Sequence, residues 1–168
     1  MSILWVVPAI LLQRLLELWY AARNARRLRD RGAIEHGAGH YPLFVLLHGT
    51  WLASLLLLVP WDRAGDPVLL LAYLALQPLR LWVILSLGPF WTTRILVLPG
   101  ARPVRRGLYR WLRHPNYAIV ALEIPLLPLA YGAEGAALFF GALNLLLLAW
   151  RIRIEDHALA PLRRAALR

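Results

Sequence analysis

Long runs of apolar residues are the feature that most restricts how this chain can fold. Four such regions cover residues 3–22, 43–60, 67–87 and 118–150 of the 168-residue sequence. A helix needs about 20 apolar residues to cross the hydrocarbon core of a bilayer, so each of the first three regions is long enough for one crossing. The composition, 60% hydrophobic and 17% charged, also lies outside the range typical of soluble domains. The sequence therefore predicts an integral membrane protein.

The fourth apolar region is too long for one crossing and predicts two helices. Its middle reads YGAEG at residues 131–135, where two glycines and a glutamate interrupt the apolar run. We therefore expect a helical hairpin with arms at 118–131 and 134–154. The first arm is short, which leaves open whether it fully crosses the bilayer. In total we expect an all-α fold, with about five transmembrane helices in one membrane-embedded domain over residues 1–168.

The charged residues lie between the apolar regions and predict the orientation. Arginines cluster in residues 23–31, in residues 94–113 and in the C-terminal tail, whereas WDRAGD at 61–66 has one arginine and two aspartates. Arginine is enriched in the cytoplasmic loops of membrane proteins. We therefore expect a multi-pass protein of the inner membrane, with the N-terminus outside and the loop 88–117 and the C-terminus cytoplasmic. The start, MSILWVVPAILLQ, has no basic segment before it and predicts a retained span rather than a signal peptide.

Charge and cysteine content exclude several kinds of site. The net charge of +10 is typical of nucleic-acid binding proteins, but these arginines border apolar runs as juxtamembrane charges do, so we expect no nucleic-acid partner. The chain has no cysteine, which excludes disulfides, thiolate metal sites and cysteine nucleophiles. His36 and His40 have the spacing of helical metal ligands, but two glycines lie between them. With no carboxylate triad nearby, we expect no metal site.

A few polar residues interrupt the apolar regions. Gln13, Arg14 and Glu17 share one helix face in the first region. A charge at mid-bilayer costs about 2.5–3.5 kcal/mol on insertion scales. The three residues are therefore either the polar wall of a substrate pocket or an Arg14–Glu17 pair that offsets its own cost. We expect Arg80, roughly 10 Å from its helix end, to snorkel to the interface, and Asn144 to hydrogen-bond a neighbouring helix.

The loop 88–117 carries basic and aromatic residues at the membrane boundary and ends in RWLRHPNY. Pro115 disfavours a helical conformation at His114, so we expect extended backbone there, with N–H and C=O groups available to a small polar ligand. Three aromatic side chains of the stretch can stack on a flat ring: Tyr109, Trp111 and Tyr117. An arginine-rich loop that contacts anionic lipid would have the same composition. The residues alone favour neither interpretation.

The end of the last apolar region carries a second group of charges. It reads AWRIRIEDHAL, in which Arg151 and Glu155 are four residues apart and share a helix face, whereas Arg153 and Asp156 lie on other faces. The spacing fits a functional pair and equally fits a helix end that is simply charged.

Taken together, these two stretches resemble the isoprenylcysteine carboxyl methyltransferase family. The hallmark of that family is G-x-Y-x-x-x-R-H-P-x-Y, here RGLYRWLRHPNY, followed at the end of the last span by R-x-x-x-E-E, here WRIRIED. The stretches LQRLLEL, GAIEHGAGHYPL and LGPFWTTRILVLPGA resemble its short bacterial branch. The likeness touches most of the chain and is densest over 88–157. The RHPxY part alone is less specific, because membrane sterol-reductase relatives have similar C-terminal halves.

The resemblance implies a polytopic protein that uses S-adenosylmethionine as its cofactor. By position, eight residues would line the cofactor pocket: Arg102, Pro103, Val104, Tyr109, His114, Pro115, Asn116 and Tyr117. Arg151 and Glu155 fall on the family's arginine and first glutamate, which implies catalytic roles. Asp156 stands where the family has a second glutamate, and the sequence shows no G-E-E-Y-like segment after it. The resemblance thus leaves the closure over the cofactor and the methyl acceptor open.

The expected function is S-adenosylmethionine-dependent methylation of the carboxylate of a lipophilic, isoprenylcysteine-like acceptor at the membrane–cytosol boundary. Such a carboxylate is ionised at neutral pH and needs no general base, and Arg151 would orient it. If the acceptor is instead a hydroxyl of an alkylated phenol or pyrone lipid, Glu155 or His114 would act as the base. Two further classes stay open: a NADPH-dependent membrane lipid reductase and a non-enzymatic lipid-binding scaffold. Membrane lipids are expected partners in each case.

Overall fold

Five helices make up most of the computed structural model, which describes residues 1–165. In chain order they are α1 (Ile3–Asp30), α2 (Tyr41–Leu58), α3 (Pro67–Leu87), α4 (Pro115–Ala130) and α5 (Glu134–Ala165). The segments containing α1, α2, α3 and α5 are long and apolar enough to cross a membrane. Helix α4 has 16 residues and is about 24 Å long, which is shorter than the hydrocarbon core. The prediction of an all-α, polytopic protein that ends in a helical hairpin is confirmed.

Helices α1 and α5 extend beyond their predicted ends at 22 and 154, through the arginine-rich segments that follow. Arginine is a good helix former, and positive charge near a helix C-terminus interacts favourably with the helix dipole. Helix α4 begins at Pro115 rather than at 118, because proline is well suited to the first turn. With 28 and 32 residues, α1 and α5 are about 42 and 48 Å long and project beyond a bilayer core.

The outer surface of the bundle is apolar. Large side chains from four helices are at least 70% exposed, among them Trp5, Leu57, Val68, Leu138 and Leu146. Soluble monomeric proteins rarely expose extended apolar surface of this kind. Lipid tails are the environment that fits it, in agreement with an integral membrane protein.

Helix α4 packs against α3 and α5 and contributes to the main core. Pro128 has no N–H group with which to bond the carbonyl of Ile124, four residues before it. The indole of Trp51, a fully buried side chain of α2, donates to that carbonyl instead, at 2.9 Å. On the other side, Asn144 of α5 donates to the carbonyl of Val120 at 3.3 Å. The predicted interhelical hydrogen bond of Asn144 is therefore confirmed.

The connections between helices gather at the two ends of the bundle. At one end the N-terminus meets the α2–α3 connection and the α4–α5 turn: Asp66 N–H donates to Ala130 O at 2.7 Å, and the Tyr131 hydroxyl donates to Met1 O at 3.1 Å. The connections 31–40 and 88–114 lie at the other end. The arginine-rich segments therefore share one end, as their charges predict, and which end faces the cytoplasm stays a prediction.

A short antiparallel ribbon, which the sequence did not predict, ties the two arginine-rich connections together. Strand β1 (Ile34–His36) pairs with β2 (Ile95–Val97), and Glu35 at its centre accepts from Arg29 at 2.7 Å and from Arg94 at 2.6 Å. Burial raises the pKa of Glu35, but the hydrogen bonds and charges of the two arginines outweigh burial and hold the pKa below its usual value. The ribbon fixes the loop 88–114 beside the end of α1.

Candidate active site

Arg151 of α5 lies buried at the arginine-rich end and is bound by three different parts of the chain. Its Nε donates to the Tyr117 hydroxyl at 2.8 Å, and its Nη2 donates to the carbonyl of Thr93 at 2.9 Å. Its Nη1 lies 3.3 Å from His40 Nε2. The guanidinium also lies over the rings of Phe44 and Tyr117. Because the fork of an arginine is planar, contacts along three of its edges fix both its position and its orientation.

The Tyr117 hydroxyl joins Arg151 to Glu155. It accepts the hydrogen bond from Arg151 Nε and donates a hydrogen bond to the Glu155 carboxylate. Both α5 residues reach Tyr117 across the α4–α5 interface because residues four apart lie on one helix face. The prediction that Arg151 and Glu155 share a helix face is confirmed, and the Tyr117 hydroxyl connects them.

His114 packs onto this arrangement from the loop side. Its ring stacks on Tyr117, with centroids 5.3 Å apart and an angle of 11° between the planes. Its Nε2 lies 3.1 Å from Asp156, which also accepts from Arg163 at 2.6 Å. Asp156, the residue that departs from the family pattern, thus orients His114, the histidine of the RHPNY stretch, toward the C-terminal part of α5.

The backbone at His114 is not helical, with φ −133° and ψ 57°, as Pro115 predicts. Its carbonyl is nevertheless engaged, since it accepts from the N–H groups of Tyr117 at 3.1 Å and of Ala118 at 3.3 Å. The expectation that this carbonyl is free to bind a ligand is therefore wrong. It caps the first turn of α4, whose N–H groups need acceptors.

Two other predicted cofactor residues, Tyr109 and Asn116, are partly buried in the loop and in the first turn of α4. Tyr109 is half-buried, and burial together with the charge of Glu155 raises the pKa of its hydroxyl. Asn116 follows the buried Pro115. Asn116 Oδ1 is a buried acceptor without a partner in the described residues.

The segment 102–104 is the part of the predicted site that the structure does not join to the cluster. Arg102 is exposed, and Pro103 and Val104 are half-buried. Within the described chain, the Arg102 side chain makes no hydrogen bond. Its place in the cofactor pocket stays a prediction.

The loop is held against α1 and α3 by hydrogen bonds and by one close approach that requires a glycine. Gly107 has φ 57°, and a Cβ at this position would collide with the side chain of Ser86 on α3. The neighbouring Arg106 donates from Nε to the carbonyl of Ser86 at 2.6 Å. From α1, the Asn24 amide donates to the carbonyls of Gly88 and Trp91 at 3.1 and 3.0 Å. The glycine of the G-x-Y motif is thus explained by the close approach of the loop to α3.

A second polar cluster lies inside the span, where α1, α3 and α4 meet. Four charged side chains form a closed ring in which each arginine contacts both glutamates. Arg14 lies 2.7 Å from Glu123 and 3.2 Å from Glu17. Arg80 lies 3.1 Å from Glu123 and 2.5 Å from Glu17. The ring carries two positive and two negative charges and is therefore neutral as a unit. We call these four residues the charge ring.

The prediction that Arg80 snorkels to the interface is wrong. Its side chain is buried, because two carboxylates within the span compensate the cost of its charge where it lies. The expected Arg14–Glu17 pair exists, but only as one side of the charge ring. Gln13 and Glu17 also border a groove of about 390 Å³ between α1 and α3 whose other lining is apolar. The charge-compensating pair is therefore present, and a role of this groove in substrate binding stays a prediction.

Three contributors were not found in the sequence. Glu123 is a single acidic residue within an apolar helix. Its negative charge, opposite to the positive charges of Arg14 and Arg80, was the feature that could have indicated an ion pair. His40 was considered only as a metal ligand and as part of the stretch GAIEHGAGHYPL, neither of which indicates a contact with Arg151. Thr93 contributes a backbone carbonyl, for which a sequence carries no signal.

Comparison with known proteins gives the family. The sequence profile of the isoprenylcysteine carboxyl methyltransferase (ICMT) family matches residues 68–161, which is more than half of the chain. The uncharacterized protein YpbQ of Bacillus subtilis (strain 168) is 41% identical over 160 residues, covering 92% of this chain and 95% of that protein. An uncharacterized protein of Haemophilus influenzae is 28% identical over 162 residues, covering 91% and 92% of the two chains. No solved structure matches the chain.

The matched range includes the cluster built around Tyr117. His114, Arg151 and Glu155 all lie inside it, on the positions where the resemblance put the family's motif. The chain belongs to the isoprenylcysteine carboxyl methyltransferase family and is, at the level of that family, a membrane methyltransferase.

Proposed function

We propose that the protein transfers the methyl group of S-adenosylmethionine to an oxygen atom of a lipophilic acceptor at the membrane–cytosol boundary. The observation that carries this proposal is the Arg151–Tyr117–Glu155 arrangement at the arginine-rich end of the α4–α5 hairpin. It joins a fixed cation and a carboxylate at the level where an apolar bundle meets a polar loop. A lipid head group and a soluble cofactor can meet at that level. The acceptor named by the family, an isoprenylcysteine carboxylate, is the starting candidate.

The residues around the cluster fit S-adenosylmethionine. This cofactor is positively charged at its sulfonium and ammonium groups, and Glu155 and Asp156 provide negative charge. Its amino groups need acceptors, and Asn116 Oδ1 is a buried acceptor with no partner in the described chain. The rings of Tyr109 and His114 offer flat surfaces for cations or for a base. The exposed Arg102 suits its carboxylate.

When bound, S-adenosylmethionine supplies an electrophilic methyl group and leaves as the neutral thioether S-adenosylhomocysteine. The protein's part is to place the acceptor oxygen in line with that methyl group and to keep water away from it. Arg151 is suited to orient the acceptor, because its guanidinium has five N–H donors and three bound edges leave it rigid. A carboxylate acceptor is already ionised near neutral pH, so it requires orientation but no proton transfer.

A hydroxyl-bearing lipid, such as an alkylated phenol or pyrone, is the second candidate acceptor. Glu155 favours it, since a carboxylate at the reaction centre repels an anionic acceptor but can take the proton of a hydroxyl. Glu155 would take the proton of the acceptor hydroxyl, and the bound cofactor would supply the methyl group that the acceptor oxygen receives. The Tyr117 hydroxyl, which already donates to Glu155, would keep that carboxylate in place.

Family membership favours a methyltransferase over a NADPH-dependent reductase or a scaffold. A cofactor-binding measurement separates these three. We expect S-adenosylhomocysteine to raise the melting temperature of the purified protein in detergent, and NADPH to leave it unchanged. A shift with NADPH alone would support the reductase, and no shift with either would support the scaffold.

Transfer of a labelled methyl group from S-adenosylmethionine into a lipid extract tests the function itself. We expect a labelled lipid with the wild type and little label with Glu155→Gln. Mild alkali then distinguishes the acceptors, because a methyl ester releases labelled methanol and a methyl ether does not. Absence of both labelling and S-adenosylhomocysteine binding would refute the proposal.

We further propose that the site faces the cytosol, where the cofactor is made. In this arrangement the loop 88–114 and the end of α5 are cytoplasmic, the N-terminus is outside, and the lipid tail of the acceptor enters sideways between helices. Support comes from the arginines, which share one end of the bundle.

A further inference from the structure

His40 contacts Arg151 although it lies outside the motif by which the family is identified. It belongs to the short turn Ala38–His40 that precedes α2, and its side chain is buried. Its Nε2 lies 3.3 Å from Arg151 Nη1. We propose that His40 is a positioning residue, which holds the guanidinium of Arg151 in the orientation needed for methyl transfer. The inference rests on the proposed function.

The contact defines the state of the imidazole. An arginine has donors only, so the Nε2 atom facing it must be the acceptor. The ring is then neutral and carries its proton on Nδ1. A second positive charge at this place would repel Arg151, and an Nε2–H would point its hydrogen at that of the guanidinium. His40 therefore acts as a neutral acceptor.

The surroundings of the ring keep it in this position. Gly37 has φ 62°, and a Cβ there would lie 2.7 Å from the His40 ring. Phe44 and Trp150 pack against the ring, with centroids 5.9 and 5.8 Å away. The Nδ1 atom has no hydrogen-bond partner within residues 1–165. The packing of Phe44 and Trp150 therefore holds the imidazole in place beside Arg151.

Among residues 1–165, His40 supplies the one side-chain acceptor for Arg151 that comes from outside the α4–α5 hairpin. The Tyr117 hydroxyl binds the Nε edge, and the Thr93 carbonyl binds Nη2. Without His40, Nη1 is unbound and the guanidinium can tilt within its site. A small misplacement of a group that orients a reactant can cost about 100-fold in rate. The effect should therefore fall on kcat more than on the KM for S-adenosylmethionine.

Two variants separate the acceptor from the ring. His40→Phe keeps an aromatic ring and removes the acceptor, whereas His40→Gln keeps an acceptor oxygen at a similar reach. Initial rates of methyl incorporation into a lipid extract would be measured across a titration of S-adenosylmethionine. We expect kcat to fall about 10- to 100-fold in His40→Phe, with KM changed less than about threefold, and His40→Gln to stay within about fivefold of wild type.

Melting temperatures in detergent accompany these rates. If His40→Gln and His40→Phe lose activity equally at equal melting temperature, the acceptor is not what matters and the proposal is overturned. Full activity of His40→Phe would overturn it as well. Should His40→Phe fail to fold, the spectroscopic measurement below still decides.

A nitrogen-15 NMR spectrum of the histidine rings provides a test that needs no methyl transfer. We expect His40 to carry its proton on Nδ1 in the wild type and to lose this preference in Arg151→Met. A wild-type ring protonated on Nε2, or an unchanged spectrum in Arg151→Met, would refute the role of His40 even in an active enzyme. Conversely, the expected spectrum in a protein that neither transfers a methyl group nor binds S-adenosylhomocysteine would refute the proposed function and leave the His40–Arg151 contact established.

Discussion

Arg80 of α3 and Glu17 of α1 form a two-bonded ion pair inside the membrane span. Nε donates to Oε1 at 2.7 Å and Nη2 donates to Oε2 at 2.5 Å, and both side chains are about nine-tenths buried. The third nitrogen of Arg80 binds Glu123 of α4 at 3.1 Å. One arginine therefore joins three helices, and loss of any single member leaves the charge ring with a net charge.

Removing Arg80 should destabilise the bundle strongly. Arg80→Met leaves two buried carboxylates with Arg14 alone, and breaking a buried ion pair typically costs about 3–5 kcal/mol. We expect a decrease of this order in the free energy of unfolding, measured by titration with a denaturing detergent. Arg26→Met, at an exposed position of α1, is the matched control and should change it little.

A second change should restore much of this loss. Arg80→Met combined with Glu17→Gln leaves Arg14 and Glu123, which lie 2.7 Å apart and are neutral together. We expect the double variant to be more stable than Arg80→Met alone. If it is less stable, the packing of Arg80 rather than the charge balance holds the helices together.

The hydrogen bond from Trp51 to Ile124 should depend on Pro128. Trp51→Phe removes the donor, and an unsatisfied buried carbonyl costs about 1–3 kcal/mol. In a Pro128→Ala background residue 128 regains its N–H and can bond that carbonyl within the helix. We therefore expect Trp51→Phe to be less harmful in that background, by about 1 kcal/mol of unfolding free energy in a double-mutant cycle. Strictly additive effects would show that the indole contributes only packing.

The crossings were predictable because membrane insertion depends on a local sum of transfer free energies. The length and apolar composition of residues 67–87 are enough to predict a span. The environment of Arg80 was not predictable in this way. Snorkelling is the favourable choice for a single arginine, and only the packing of α4 against α3 brings Glu123 within 3.1 Å. Compensation between charges on different helices is a tertiary property.

The candidate site likewise has one part that the local sequence predicts and another part that depends on tertiary contacts. Tyr117, Arg151 and Glu155 could be named from the motif and the four-residue spacing, since these are recorded in the residues themselves. The contacts that fix Arg151 could not, because one partner is the backbone carbonyl of Thr93 and the other, His40, lies 111 residues away in the sequence. The residue types alone do not indicate which distant parts of the chain the fold brings into contact.

The ribbon that holds the loop should weaken in acid. The pKa of Glu35 is lowered because Arg29 and Arg94 outweigh the effect of burial. A lowered pKa in the folded state means that the stabilisation is full above the ordinary glutamate value of about 4.3 and is lost as the pH falls through the folded pKa. The wild type should thus melt higher than Glu35→Gln at pH 7, and this difference should shrink at pH 3.

Glu134→Gln serves as the control for the pH series. Glu134 is exposed in the first turn of α5, at the other end of the bundle. Its substitution should not reproduce the pH-dependent difference. A wild type and Glu35→Gln pair whose difference stays constant from pH 7 to pH 3 would contradict the role of the Glu35 charge.

Tyr117→Phe tests the phenol that connects Arg151 with Glu155. The variant keeps the ring that stacks on His114 but removes one acceptor from the arginine and one donor to the carboxylate. Hydrogen bonds to charged groups contribute about 1.5–3 kcal/mol, so we expect kcat to fall about 10- to 100-fold. Tyr131→Phe removes a hydroxyl that binds Met1 at the opposite end and should keep its rate. Labelled methyl transfer by both variants measures the difference, and equal rates would mean that Arg151 and Glu155 act without the bridge, each oriented by its other contacts.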